Sequence, residues 1–208
     1  MLWVMRSLVA SMLLLAACSN PTEPEPSLRE DVETTTPAQT PIAPFDECTV
    51  TTYREPALGA GHVAECADFD MQSFPPTGGD HFGVWAAWGT YDAPIPWGYL
   101  IHSMEHGAIV LGYRCDDGCP EVVAEFEAIA DLIDDPLCRG EEVPRRVIIA
   151  PMPDLDVAIA ALGWEHGYLA TCLDPPSLRS FVTERYGLGR ENLCNPGADR
   201  SDMEWCDG

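Results

Sequence analysis

The chain has 208 residues and a formal net charge of −23, with 34 acidic residues against 11 basic ones. All 11 basic residues are arginines, which excludes chemistry that needs a lysine, such as a Schiff base or a phosphate-loop lysine. The acidity also argues against nucleic acid as a partner, because binding it depends on basic residues that neutralise phosphates.

Residues 1–17 have the pattern of a bacterial lipoprotein signal peptide. Arg6 supplies the positive end, a mostly apolar run follows, and Leu-Ala-Ala-Cys at residues 15–18 resembles a lipoprotein cleavage box. The apolar run is too short to span a bilayer of about 30 Å. We expect cleavage before Cys18 and lipidation of Cys18, with an ordinary secretion signal as the alternative. The exported protein would then be anchored to a membrane of the cell envelope, the outer membrane if the bacterium is Gram-negative.

Residues 18–46 begin at the predicted lipidated Cys18 and are rich in Pro, Thr and Glu. Large apolar residues are almost absent, so the segment cannot bury enough surface to offset the entropy lost on ordering. We interpret it as a disordered tether. Residues 47–208 are then predicted to form a single globular domain.

Residues 48–100 contain many Gly, Pro and aromatic residues without sustained periodicity, which indicates loops and short strands. The second half has regular apolar patterns. Strands are predicted over 108–113, 147–150, 157–162 and 168–172, and helices over 121–133 and 177–186. The predicted fold class is therefore α+β, with a small mixed sheet of about 4–5 strands and two helices on one face.

Nine cysteines are present, and eight remain for the domain if Cys18 carries lipid. Because an exported protein meets an oxidising compartment, we expect up to four disulfides. The turn-forming residues 116–118 favour a bridge between Cys115 and Cys119. The disulfide candidates are Cys48, Cys66, Cys115, Cys119, Cys138, Cys172, Cys194 and Cys206.

Four of the five histidines lie between residues 62 and 106, a density that favours a transition-metal site holding copper or zinc. His102 and His106 can share one ion only if residues 100–107 form a helical turn, because residues four apart in a strand are separated by about 13 Å. The predicted ligands are His81, His102 and His106, with His62 as a candidate fourth ligand.

Residues 102–106 also match the inverted zinc-peptidase pattern His-x-x-Glu-His, in which the Glu acts as a base. That motif lies inside a long helix, whereas only about one helical turn fits here before the strand predicted from residue 108. A zinc hydrolase is therefore a remote alternative, with Glu105 as the candidate base. As a residue that orients a ligand or forms an ion pair, Glu105 would look the same in sequence.

Three other residues carry a thioether or an imidazole that could bind a metal ion. Met104 would point away from the two neighbouring histidines on a helical turn, so we expect it in the core. His166, beside Trp164, is expected to pack or donate a hydrogen bond rather than bind metal. Met71 would favour copper over zinc if it supplied a thioether.

The central motifs resemble a known bacterial family. Pro-Pro-Thr-Gly-Gly-Asp-His81, Trp85-Ala-Ala-Trp-Gly-Thr-Tyr91, Pro94-Ile-Pro96 and His102-Ser-Met-Glu-His-Gly107 are similar to domain-of-unknown-function family 3105 over about residues 60–187. The resemblance implies that His81, His102, Glu105 and His106 are important, and it implies no activity.

Together these patterns predict a cell-envelope lipoprotein with a histidine-rich copper or zinc site, used for metal handling or as a metal-dependent enzyme. The alternative is a disulfide-stabilised binding or structural module without metal, whose His and Glu residues fix loops by hydrogen bonds. The sequence does not identify a protein partner.

Overall fold

The computed structural model describes residues 28–56, 58–115, 118–198 and 205–206. The predicted signal peptide, the predicted lipidation site Cys18 and the first part of the predicted tether lie outside these residues. Within the described ranges, no helix combines the length and apolar character needed to cross a membrane.

The fold contains nine strands and three helices in the described residues. In chain order they are β1 Glu30–Thr35, β2 Val50–Arg54, β3 His62–Val63, β4 His81–Phe82, β5 Gly89–Thr90, α1 Trp97–Glu105, β6 Ile109–Tyr113, α2 Pro120–Asp131, β7 Val147–Pro151, β8 Ile159–Gly163, β9 His166–Ala170 and α3 Pro175–Arg185. Seven strands form a mixed sheet in the order β1-β2-β9-β8-β6-β7-β5, and β3 pairs with β4 separately.

The α+β class is confirmed, but the sheet is larger than the 4–5 strands predicted, and three helices stand where two were expected. The predicted strands and helices of the second half correspond to β6 to β9, α2 and α3. The elements added by the structure lie before residue 107. Strand β5 has only two residues, and β1 is exposed along its whole length, so neither presents an apolar pattern.

The tether prediction for residues 18–46 needs correction in the described part of that segment. Strand β1 pairs with β2 in antiparallel fashion at the edge of the large sheet. Further along, the Ile42 N–H donates to the Thr171 carbonyl at 2.8 Å. The amino-acid composition indicated disorder because it shows only how much side-chain surface the segment can bury. An edge strand is instead held by main-chain hydrogen bonds, which the composition does not reveal.

The two faces of the sheet are covered by different parts of the chain. Helices α2 and α3 pack on one face, where Phe126 and Leu178 belong to the same buried cluster as the strand residue Leu111. Helix α1 and the loop-rich segment cover the other face, where Leu100 packs with Val110. The predicted pair of helices on one face is thus present, and the third helix brings the histidine motif to the opposite face.

The eight cysteines of the domain pair at disulfide distance. The Cα–Cα separations lie between 5.1 and 5.8 Å, which a disulfide can bridge. The pairs are Cys48–Cys172, Cys66–Cys206, Cys115–Cys119 and Cys138–Cys194. The predicted pairing of Cys115 with Cys119 is therefore confirmed. The Cys66–Cys206 pair links the segment that follows His62 to residues 205–206.

A buried ion pair joins the main elements. The Nε of Arg146 donates to Oδ2 of Asp135 at 2.8 Å, and each side chain is only 2% exposed. The Arg146 Nη1 donates to the His106 carbonyl, at the end of α1, and to Asn192 Oδ1 at 2.6 Å. The Tyr186 hydroxyl donates to Asp135 at 2.6 Å. Burial alone would raise the pKa of Asp135, but these hydrogen bonds, led by that from Tyr186, lower it.

We expect an Arg146→Met variant to lose about 3–5 kcal/mol of unfolding free energy, because Asp135 becomes an uncompensated buried charge. Urea denaturation of the oxidised protein measures the loss. Arg139→Met is the matched control, since Arg139 meets Asp134 at 3.6 Å with both side chains mostly exposed. Such surface pairs contribute little. Equal losses in the two variants would contradict the importance of the buried pair.

Candidate metal centre

Two short elements and one helix bring the histidines together. In the small parallel sheet, His62 of β3 is in register with His81 of β4. Helix α1 crosses β4 closely at Gly98, where an added Cβ would lie 2.6 Å from the Phe82 ring. The helix then carries His102 and Glu105 on one side, because residues three apart are neighbours on a helix surface.

The side chains of His62, His81, His102 and Glu105 converge on one point. The ring centroids of the three histidines are 4.9 Å apart in every pair. One donor atom from each of the four residues lies within 4.8 Å of all the others. His81, His102 and Glu105 are buried, whereas the side chain of His62 is 53% exposed. The cluster therefore consists of three buried residues and one residue, His62, at the surface.

Backbone carbonyls fix the two buried imidazoles. The Nδ1 of His81 donates to the Gly79 carbonyl at 2.8 Å, and the Nδ1 of His102 donates to the Phe82 carbonyl at 2.6 Å. A carbonyl oxygen can only accept, so each neutral ring carries its hydrogen on Nδ1 and a lone pair on Nε2. Metal-binding histidines are oriented in this way in proteins.

The buried carboxylate of Glu105 needs a positive charge beside it. Its Oε2 lies 3.0 Å from Nε2 of His81 and 3.6 Å from Nε2 of His62. With the hydrogen of His81 on Nδ1, its Nε2 and the carboxylate are two acceptors facing each other. A proton or a cation must lie between them, and a buried carboxylate without such compensation is costly. The ion pairs that Glu105 makes with described residues involve histidines only.

Burial keeps the helix histidines neutral. It lowers the pKa of His102, and the neighbouring His81 and His62 lower it further, outweighing the hydrogen bond to Phe82. Burial also lowers the pKa of His106 to about 4, with added contributions from His102 and Arg146. Neutral imidazole is the form that binds metal ions.

The structure brings His62 into the cluster and leaves His106 beside it. The residues from 97 to 105 form a helix, which meets the condition set for joint use of His102 and His106. However, the group of four donors contains Glu105 and not His106. From the sequence, Glu105 was a candidate base, or a residue that orients a ligand or forms an ion pair, although its spacing of three residues from His102 also suits two ligands on one helix face.

The other residues considered from the sequence lie outside the four-donor group. Met104 is fully buried in the core with α1, as predicted. The Nδ1 of His166 donates to the Trp164 carbonyl at 2.9 Å, which agrees with the packing role expected of it. Met71 is exposed.

The fold and this cluster define an α+β protein with a candidate metal centre made of three histidines and one glutamate. The family described as a protein of unknown function, DUF3105, matches residues 62–200, and the chain therefore belongs to that family. The matched range contains all four residues of the cluster. Neither the curated proteins nor the solved structures compared with this chain give a match.

We expect Gly98→Ala to destabilise the protein by about 1–3 kcal/mol, as overpacked sites do, because the new methyl group would overlap the Phe82 ring. Helix propensity alone predicts the opposite sign, a gain of about 1 kcal/mol. Gly83→Ala is the control, since an added Cβ there meets nothing within 4 Å. Chemical denaturation measures both, and a more stable Gly98→Ala variant would contradict the close approach of α1 to β4.

Proposed function

We propose that this protein is a cell-envelope lipoprotein that binds one divalent zinc or copper ion through His62, His81, His102 and Glu105. The observation that carries the proposal is the convergence of three imidazoles and a carboxylate within 4.8 Å. The carbonyl contacts that orient His81 and His102 support it, because they leave a lone pair of each ring directed away from the backbone.

The types of donor favour zinc(II) or copper(II). Imidazole nitrogen and carboxylate oxygen suit these ions, whereas copper(I) is selected by thiolate and thioether ligands. Met104 lies in the core, and the eight domain cysteines pair with one another. In a tetrahedral zinc shell with bonds near 2 Å, the donors are about 3.3 Å apart. The distances from Glu105 Oε2 to Nε2 of His81 and of His62, 3.0 and 3.6 Å, are close to that spacing.

The exposure of His62 favours metal handling over hydrolysis. Three ligands are buried, and the fourth is half in solvent, so the ion can enter or leave when this one side chain moves. Four protein ligands fill a tetrahedral shell, whereas a catalytic zinc keeps a position for water. Glu105 would also be occupied as a ligand and therefore unable to serve as the general base of an inverted zinc peptidase.

The metal proposal predicts one ion per chain in the purified protein, measured by elemental mass spectrometry and by titration calorimetry with Zn²⁺ or Cu²⁺. His81→Ala and His102→Ala should each lower affinity by more than about 100-fold, because even outer-shell changes cost roughly 10–100-fold. His62→Ala should leave a weaker three-ligand site, and His166→Ala is the control that should bind as the unmodified protein does.

If the unmodified protein takes up no stoichiometric Zn²⁺ or Cu²⁺, and His102→Ala lowers only the free energy of unfolding, the cluster is a structural hydrogen-bonded network. The protein would then be the disulfide-stabilised binding or structural module that is the alternative prediction from the sequence.

The envelope part of the proposal rests on residues 1–18 and on the four cysteine pairs, which suit an oxidising compartment. In a bacterial host, the unmodified protein should be recovered with the membranes and labelled by a fatty-acid probe. Cys18→Ala should remove the label and release the protein into the soluble fraction. Retention of the label in this variant would contradict lipidation of Cys18.

A further inference from the structure

His106 lies against the cluster without belonging to its four donors. Its Nε2 is 3.1 Å from Nε2 of His102, and its ring is 4.4 Å from the ring of Trp85, centroid to centroid. Its carbonyl accepts a hydrogen bond from Arg146, so the residue is held in place at the end of α1. The backbone of His106 is therefore held, and its side chain is buried against His102 and Trp85.

The direction of that hydrogen bond follows from the neighbours of His102. The Nδ1 of His102 gives its hydrogen to the Phe82 carbonyl, so its Nε2 holds a lone pair. Two lone pairs would repel at 3.1 Å, so the hydrogen between the rings must sit on Nε2 of His106. The Nδ1 of His106 is buried and has no hydrogen-bond partner among the described residues, which suits an atom that carries no hydrogen.

Only one lone pair is available on Nε2 of His102, and the proposed metal ion needs it. We propose that His106 is a built-in competitor of the metal ion, which must displace the N–H of His106 from the lone pair of His102. This inference rests on the proposed metal binding and assigns to His106 the role of lowering the affinity for the ion. It also reverses the role expected from the sequence, in which His106 was a ligand.

Glu191 is placed to receive the displaced hydrogen. Its Oε2 lies 3.6 Å from Nε2 of His106, and its side chain is 52% exposed. The Glu191 backbone N–H donates to the Glu105 carbonyl at 2.8 Å, so the segment that carries Glu191 is tied to the ligand-bearing helix. A small rotation of the His106 ring exchanges one acceptor for the other, with no bond made or broken except hydrogen bonds and the metal bond.

The competition keeps the affinity of the centre below what its four ligands alone would give. A neutral hydrogen bond of this kind changes an equilibrium by about threefold to tenfold. When the ion leaves, the N–H of His106 returns to the lone pair, so the empty His102 is not left with an unpaired buried nitrogen. A site that must pass its metal on benefits from both effects.

The test is titration calorimetry with Zn²⁺ on the full protein and on His106→Leu, which removes the competing N–H. We expect the variant to bind about threefold to tenfold more tightly. His166→Leu is the control for the loss of a histidine outside the four-donor group and should bind as the unmodified protein does. A weaker or unchanged affinity in His106→Leu overturns the inference, since a ligand or a bystander would give those results.

Glu191→Ala should weaken binding in the unmodified background and lose this effect in the His106→Leu background. An equal effect in both backgrounds would mean that Glu191 acts through its charge alone, and its role as the second acceptor would be overturned.

A spectroscopic readout covers the case in which His106→Leu does not fold. In the metal-free unmodified protein labelled with ¹⁵N, the N–H···N bond should give a scalar coupling between the two Nε2 nuclei, and Zn²⁺ should abolish it. A coupling that persists in the saturated protein overturns the inference while metal binding stands. If no Zn²⁺ binds at all, the proposed function itself fails, and the competitor role fails with it.

Discussion

The buried pair of Arg146 and Asp135 is the interaction on which the site depends most. It connects the loop after α2, the residue before β7 and the residue after α3, and its guanidinium also holds the carbonyl of His106. Gly107, which follows, has a φ of +85°, and a Cβ there would meet Arg146 Nη1 at 2.8 Å. Helix α1 can therefore end only where the charge network allows, and this end sets the positions of Glu105 and His106.

The candidate centre combines rigid and adjustable parts. His81 and His102 are fixed by carbonyls, whereas His62 lies on a two-residue strand at the surface. The rigid pair gives the site its geometry before any ion arrives, and preorganised ligands lose little entropy on binding. The exposed histidine gives an ion a way in. Two fixed ligands and one exposed ligand suit reversible metal binding better than a permanently bound structural ion.

Much of this arrangement could be predicted from sequence. Regular apolar patterns indicated β6 to β9 and both helices on the first face, and the density of histidines indicated where donors would gather. The choice between Glu105 and His106 could not be predicted, because both follow His102 on α1 at spacings that a helix allows. It depends on the orientation of α1 over β4, which the contact of Gly98 with the Phe82 ring and the hydrogen bond from Arg146 at the end of the helix fix together. Strand β1 was missed because its side chains are exposed, so main-chain pairing alone marks it.

The disulfide between Cys66 and Cys206 has a consequence for the order of events during export. The two cysteines are 140 positions apart, and the four proposed ligands are all made before the second cysteine. If the chain is exported amino terminus first, as the proposed signal peptide implies, the four ligands reach the oxidising compartment while the loop after His62 is still untied. An ion captured at that stage would hold His62 near α1 and so bring Cys66 to the place where its partner arrives. Metal supply during biogenesis would then influence how faithfully the cysteines pair.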